Sequence, residues 1–135
     1  MSAIFKKLNL KDQNEILILN AAASFEPEIA ALTGVKVLRK LSAVKQISYA
    51  LVFVSKQQEL DEVSLALSKL VHGDALLWFV YPKASSKKYQ CEFNRDTGWD
   101  VIKAAGFDTV RMVAIDEDWS ALRFRHVSYI KPATR

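Results

Sequence analysis

The densest collection of groups with a chemical use lies in the stretch YPKASSKK, where Lys83, Lys87 and Lys88 accompany the hydroxyls of Ser85 and Ser86. Ammonium and hydroxyl donors so close together suit a phosphate or a carboxylate. The competing and commoner fate of a short lysine-rich loop is plain solvation. Asn20 and Ser24 in ILILNAAASF are polar groups at the end of another strand-like run, and Asp116 and Trp119 lie in DEDWS. Trp119 suits either a pocket wall or a packing plug. Catalytic sets are missing. His72 and His126 are isolated, and a zinc site needs three or four ligands. His72 precedes Gly73 and reads as a helix-end cap, and His126 reads as a surface or edge residue. Cys91 has Lys87 and Lys88 nearby, which would lower its pKa, but it has no paired histidine to make it a nucleophile. No catalytic residue, metal ligand or cofactor is therefore assigned. The candidate ligand-binding residues are Asn20, Ser24, Lys83, Ser85, Ser86, Lys87, Asp116 and Trp119.

The elements that must position these residues are punctuated by glycine. Gly34, Gly73 and Gly106 each follow a helix-like segment and precede a β-rich run, and glycine is favoured just past a helix C-terminus. Helix starts fit the same rhythm. Ser55 with Gln58 matches a capping box ahead of Leu60, Val63, Leu67, Leu70 and Val71 at helical spacing. Ser24 with Pro27 opens FEPEIAAL, and Asn94 or Asp96 opens RDTGWDVIKAA, with Gly98 inside the helix start and Trp99 packing on the sheet. Between the helices, EILILN, ISYALVFV and ALLWFVYP are near-continuous apolar runs. Strands buried on both faces read this way, and parallel sheets covered by helices are their usual source. Trp78 within ALLWFV is assigned to the core, its indole N–H requiring a partner. The pattern predicts a three-layer α/β sandwich with a mostly parallel, Rossmann-like sheet.

The last third breaks the alternation. TVRMVAI is followed, after only DEDW, by SALRFRHVSYI, a gap too short for a crossover helix, so these strands must form an antiparallel hairpin. A parallel sheet ending in such a hairpin resembles the class I S-adenosylmethionine-dependent methyltransferase fold, whose sheet ends with a reversed strand. The chain as a whole also resembles a bacterial family of small proteins known only as a domain of unknown function. That family's pattern runs K-L-x-(I/L)-K, L-N-A-P-x-x-F, W-x-x-(Y/W)-P-K and (I/V)-D-x-x-W-S-x-L-(R/K)-F. Lys7, Leu8, Leu10 and Lys11 match the first element, and Leu19, Asn20, Ala21 and Phe25 the second. Trp78, Tyr81, Pro82 and Lys83 match the third, and Ile115, Asp116, Trp119, Ser120, Leu122, Arg123 and Phe124 the last. Ala22 stands where the pattern has proline. This second resemblance brings no activity with it.

A working methyltransferase or Rossmann domain needs a glycine-rich turn after its first strand, so that the backbone can approach the cofactor. NAAASF offers alanines, whose Cβ atoms disfavour positive φ. It also needs an acidic residue about 20 residues further on to hold the ribose hydroxyls, and VKVLRKL puts Arg39 and Lys40 there. The resemblance further implies an Asn/Asp-Pro-Pro-aromatic motif after the fourth strand in some members, where this chain has VFVSKQQ. Only SAVKQ separates the second strand from ISYALVFV, which leaves no room for a third. These losses describe a degenerate frame.

Length and composition bound the rest. With 135 residues, half of them apolar, one domain spanning 1–135 is expected. No apolar run approaches the roughly 20 residues of a membrane span, and no signal peptide is recognisable. The single cysteine fits a reducing compartment, hence the cytoplasm. The net charge of +4 is spread among acids, without the basic face or module of a specific nucleic-acid binder. The function expected is a non-catalytic binding or regulatory domain for an anionic small molecule or a protein partner, acting as a monomer or dimer. The alternative is a divergent methyltransferase or another nucleotide-using enzyme. In the methyltransferase strand order DEDWS adjoins YPKASSKK, which sets Asp116, Glu117 and Asp118 beside Lys83, Lys87 and Lys88. The lysines then either pair with these acids or turn with the serines toward Asn20 and Ser24.

Overall fold

A computed structural model describes residues 3–130. Its elements are α1 (Ala3–Lys7), β1 (Glu15–Leu19), α2 (Glu26–Ala30), β2 (Lys36–Leu38), β3 (Ile47–Phe53), α3 (Gln57–Leu70), β4 (Val71–Pro82), α4 (Asp100–Ala104), β5 (Phe107–Ala114) and β6 (Trp119–His126). The strands form one sheet in the order β2-β1-β3-β4-β6-β5. Pairing is parallel from β2 through β4, and β6 runs antiparallel to both of its neighbours, β4 and β5. The mixed sheet with a reversed penultimate position is the one the apolar runs and the hairpin predict. Among the described residues no strand stands between β2 and β3, where Leu41–Ala43 forms a 3-10 turn instead. Among the described residues no helix is long and apolar enough to cross a membrane.

Each sheet face has its own core. On one side α1, α2 and the residues flanking them contribute Phe5, Leu8, Phe25 and Ile29 against Ile18, Leu51 and Trp78. On the other, α3 and α4 contribute Leu60, Leu67 and Ile102 against Val52, Phe79 and Phe124. Alternate residues of β3 and β4 point into opposite clusters, which explains their unbroken apolar sequence. Trp78 finds its partner in the Leu8 carbonyl, to which it donates at 2.9 Å, and the Tyr49 hydroxyl donates to the same oxygen at 2.9 Å. Burial pushes the Tyr49 phenol far above its ordinary range. Asn9, at φ 62, ends α1 in the left-handed conformation. Leu8 and Trp78, two of the motif positions, thus meet as core residues.

Several local expectations are corrected. Lys56 rather than Ser55 is the N-cap of α3, and it offers no side-chain cap. The Glu92 carboxylate does this work from 35 positions further along the chain, accepting the Gln57 N–H at 2.8 Å. An acid suits the positive end of a helix dipole wherever it comes from in sequence. Ser24 lies inside a 3-10 turn, Ala23–Phe25, and caps nothing. Asn94 Oδ1 accepts the N–H groups of Asp96 and Thr97 in a turn ahead of α4, and Gly98 precedes the helix instead of lying within it. β4 begins directly after α3, so Gly73 and His72 belong to the strand, close to a register shift against β3. His72 is therefore no helix cap. His126 ends β6, an inner strand rather than an edge, and its Nδ1 accepts the Ser128 N–H at 3.2 Å.

Candidate functional site

The β1–α2 turn stands where a methyltransferase-like frame would receive its cofactor. Its single left-handed residue is Asn20, at φ 57, a residue type that tolerates this region better than most. The alanines are spared it: Ala22 is extended, at φ −63 and ψ 146. Ala21 and Ala22 pack against the core of the α1/α2 face. The turn is thus built by packing and one asparagine, not by glycine. Asn20 lines a cavity of about 500 Å³ together with Leu41, Lys56, Glu59 and Glu62.

At the end of β2 the Arg39 guanidinium forms a two-pronged pair with Glu26, the first residue of α2, at 2.9 and 2.8 Å. The hydrogen bond from Arg39 holds the Glu26 carboxyl below its ordinary pKa. The pair joins the two places that would receive a ribose and a cofactor turn. It leaves a cation, already satisfied, where a ribose needs a free carboxylate.

The second site is the segment 83–99, which runs from β4 to α4 and passes over the start of α3. It borders a groove of about 1000 Å³ whose lining includes Lys83, Ser85, Ser86, Cys91, Asn94 and Arg95. Three contacts fix its near end. The Lys83 N–H donates to the Asp118 carbonyl at 2.7 Å, and Ser86 Oγ donates to Asp118 Oδ1 at 2.8 Å. Ser86 Oγ in turn accepts the Tyr89 N–H at 3.1 Å. Asp116 Oδ1 shapes the hairpin turn by accepting the N–H groups of Asp118 and Trp119 at 2.8 and 2.9 Å. The acidic and lysine-rich loops therefore adjoin, but serine and backbone make the clasp. None of Lys83, Lys87 and Lys88 forms an ion pair with a described residue.

Of the eight candidates, Lys83, Ser85 and Ser86 come together around this groove. Asn20 belongs to the other cavity. Ser24 and Lys87 are exposed and line neither of these two cavities. Trp119 is buried between Phe53 and Tyr89, with ring centroids 5.3 and 4.9 Å away, so it packs as a plug, and its indole nitrogen has no acceptor. Burial pushes the Cys91 thiol up, overriding the sequence expectation of a lowered value. Asn94 and Arg95 were not among the candidates. Their signal was the length of the 83–99 connection, well beyond the usual four to six residues or so, since long connections are commonly functional.

No protein-family model and no curated protein matches the chain. Solved structures do share its fold. A SAM dependent methyltransferase from Aquifex aeolicus is 12% identical with a TM-score of 0.60, the match covering 91% of this chain and 87% of that one. The N-methyltransferase NodS from Bradyrhizobium japonicum is 13% identical with a TM-score of 0.60, over 91% and 92%. A protein in the NADB-Rossmann superfamily from Streptococcus agalactiae is 13% identical with a TM-score of 0.53, over 93% and 68%. The frame is Rossmann-like and methyltransferase-like. Identities this low speak of fold alone, because fold and function are separable. The motif likeness to a small bacterial family has no matching family model behind it.

Proposed function

We propose that this chain is a non-catalytic binding domain on a methyltransferase-like frame, holding a small anionic molecule in the groove beside the 83–99 segment. The observation that carries the reading is the groove itself, where Lys83 and the Ser85 hydroxyl stand over about 1000 Å³ and no described carboxylate pairs with the ammonium. Arg95 adds a second cation, whose one ion pair among the described residues is with its neighbour Asp96 at 3.5 Å across a solvent-exposed contact. Such a pair contributes little and is readily exchanged for a ligand. The Arg39–Glu26 pair and the glycine-free turn support the absence of a nucleotide cofactor. A protein partner with an acidic side chain is the other occupant this chemistry suits. The cytoplasm and a monomeric or dimeric state complete the proposal.

The second reading, a divergent methyltransferase or other nucleotide-using enzyme, draws on the fold and on the cavity beside Asn20, which lies at the carboxyl end of β1 where ligands of open α/β sheets bind. The two readings place the ligand differently. A thermal-shift screen of small carboxylates and phosphate esters, repeated on Lys83→Ala and Arg95→Ala, separates them. Each substitution is expected to weaken the best anionic hit about tenfold, the scale of one charge-assisted hydrogen bond. Undiminished binding in both variants would remove the groove from the proposal.

A further inference from the structure

The opposite side of the β5/β6 hairpin holds a second concentration of charge. In the antiparallel register Arg111 stands directly across from Arg123, and Arg125 follows two residues on, across from Asp108. A register shift between Thr109 and Arg111 produces this alignment. Without the extra residue, Val110 would face Arg123 and Arg111 would point to the other side, since a one-residue slip exchanges the faces of a strand. Bulges commonly re-aim a side chain in this way. Like charges directly opposite on paired strands are destabilising, so the arrangement calls for something to offset it.

The carboxylates of the described residues do not supply it. Asp74 is taken by Arg125, whose Nε and Nη2 reach its two oxygens at 2.8 and 2.5 Å. Asp108 Oδ1 accepts the N–H of Thr109 at 2.8 Å, and Asp108 forms no ion pair with a described residue. Arg111 and Arg123 make no ion pair or hydrogen bond with a described side chain, and the Arg123 Nε is buried without an acceptor. Burial and the neighbouring Arg125 and Arg111 guanidiniums disfavour the Arg123 charge, with Asp74 a partial relief.

We propose that Arg111 and Arg123, backed by the Arg125–Asp74 pair, bind a doubly charged oxyanion of the phosphate class on this sheet face, a site separate from the groove at Lys83. The choice of phosphate over carboxylate follows from geometry. A carboxylate has two oxygens and is filled by one guanidinium fork, as Asp74 is by Arg125. A tetrahedral phosphate presents oxygens to two forks at once and carries the charge to balance both. The source is either free phosphate or the phosphate ester of a larger molecule.

Calorimetric titration of the full chain with inorganic phosphate and with glycerol phosphate, against chloride at equal ionic strength, tests this. Saturable binding is expected, with a component weakened about tenfold or more by Arg123→Gln and by Arg111→Gln and retained in Lys83→Ala, which removes only what the groove takes up. Tighter binding of the ester points to an esterified ligand, and equal binding to free phosphate. A second readout distinguishes a site from mere packing: without phosphate, Arg123→Gln should raise the melting temperature, and phosphate should stabilise only the wild type. Arg111 is exposed, so its variant remains informative if Arg123→Gln folds poorly. Heats matching chloride, or binding that survives both arginine substitutions, would overturn the site. Binding lost entirely on Lys83→Ala would assign the anion to the groove instead.

Discussion

Trp99→Ala is expected to lower the unfolding free energy by about 3–5 kcal/mol, the range for deleting a buried large aromatic side chain. The indole is 2% exposed and sits among four rings, with centroids 5.6 Å from Phe79, 5.7 Å from Tyr81, 5.2 Å from Phe93 and 5.1 Å from Phe124. Its Nε1 donates to the Asn94 carbonyl at 2.7 Å, so the same side chain fills the core of one sheet face and ties down the wall of the groove. Urea unfolding followed by circular dichroism measures the loss. Trp99→Phe should retain part of the ring packing and lose the bond to Asn94, giving a smaller destabilisation. A loss under about 1 kcal/mol for the alanine variant would mean that the ring cluster closes over the gap, contrary to the dense packing described.

Gly98→Ala should be nearly as damaging, by about 2–5 kcal/mol when unfavourable backbone conformation and overpacking are taken together. Gly98 adopts φ 97, outside the region that L-residues enter readily. A Cβ there would stand 2.5 Å from the Phe93 Cβ and 2.7 Å from Gln57 Oε1. Gln57 has little freedom to retreat, because its Nε2 donates to the Gly98 carbonyl at 2.8 Å and to Asp61 at 2.9 Å. The segment would have to move away from the start of α3, pulling on the Glu92 carboxylate that caps it. Melting temperature, with proteolysis of the 83–99 segment as a second readout, checks both consequences. A variant as stable and protease-resistant as the wild type would show that this contact is dispensable.

These two positions also show what could and could not be read from the sequence. The sheet was legible because β1, β3 and β4 are buried on both faces, and a chain that must be apolar on both faces declares itself. The hairpin was legible because four residues cannot carry a crossover. Gly106, at φ 103 and donating its N–H to the Lys103 carbonyl, stands where a glycine after a helix was expected. The helix starts were not legible, since the acid that caps α3 lies 35 positions from Gln57 in sequence, and local spacing cannot reveal a partner brought in by the fold. The candidate site divided for the same reason. Lys83, Ser85 and Ser86 are neighbours in sequence and remain so in space, whereas their joining with Asn20 and Ser24 required a tertiary arrangement that the Ser86–Asp118 clasp replaces. Trp119 packs as the plug that its place in the turn also allows, and Asp116 shapes the turn itself.

The central claim is that the methyltransferase-like frame has lost its cofactor site, and calorimetric titration with S-adenosylmethionine and S-adenosylhomocysteine tests it most directly. The wild type should give no binding tighter than about 1 mM, equivalent to about −4 kcal/mol. Ala22→Gly should lower stability by about 0.4–1 kcal/mol through the freer unfolded chain and still give none, because Arg39 remains paired to Glu26 where a ribose needs a carboxylate. Micromolar binding of either compound by the wild type would contradict the claim, and binding gained on Ala22→Gly would show that the turn alone had been limiting.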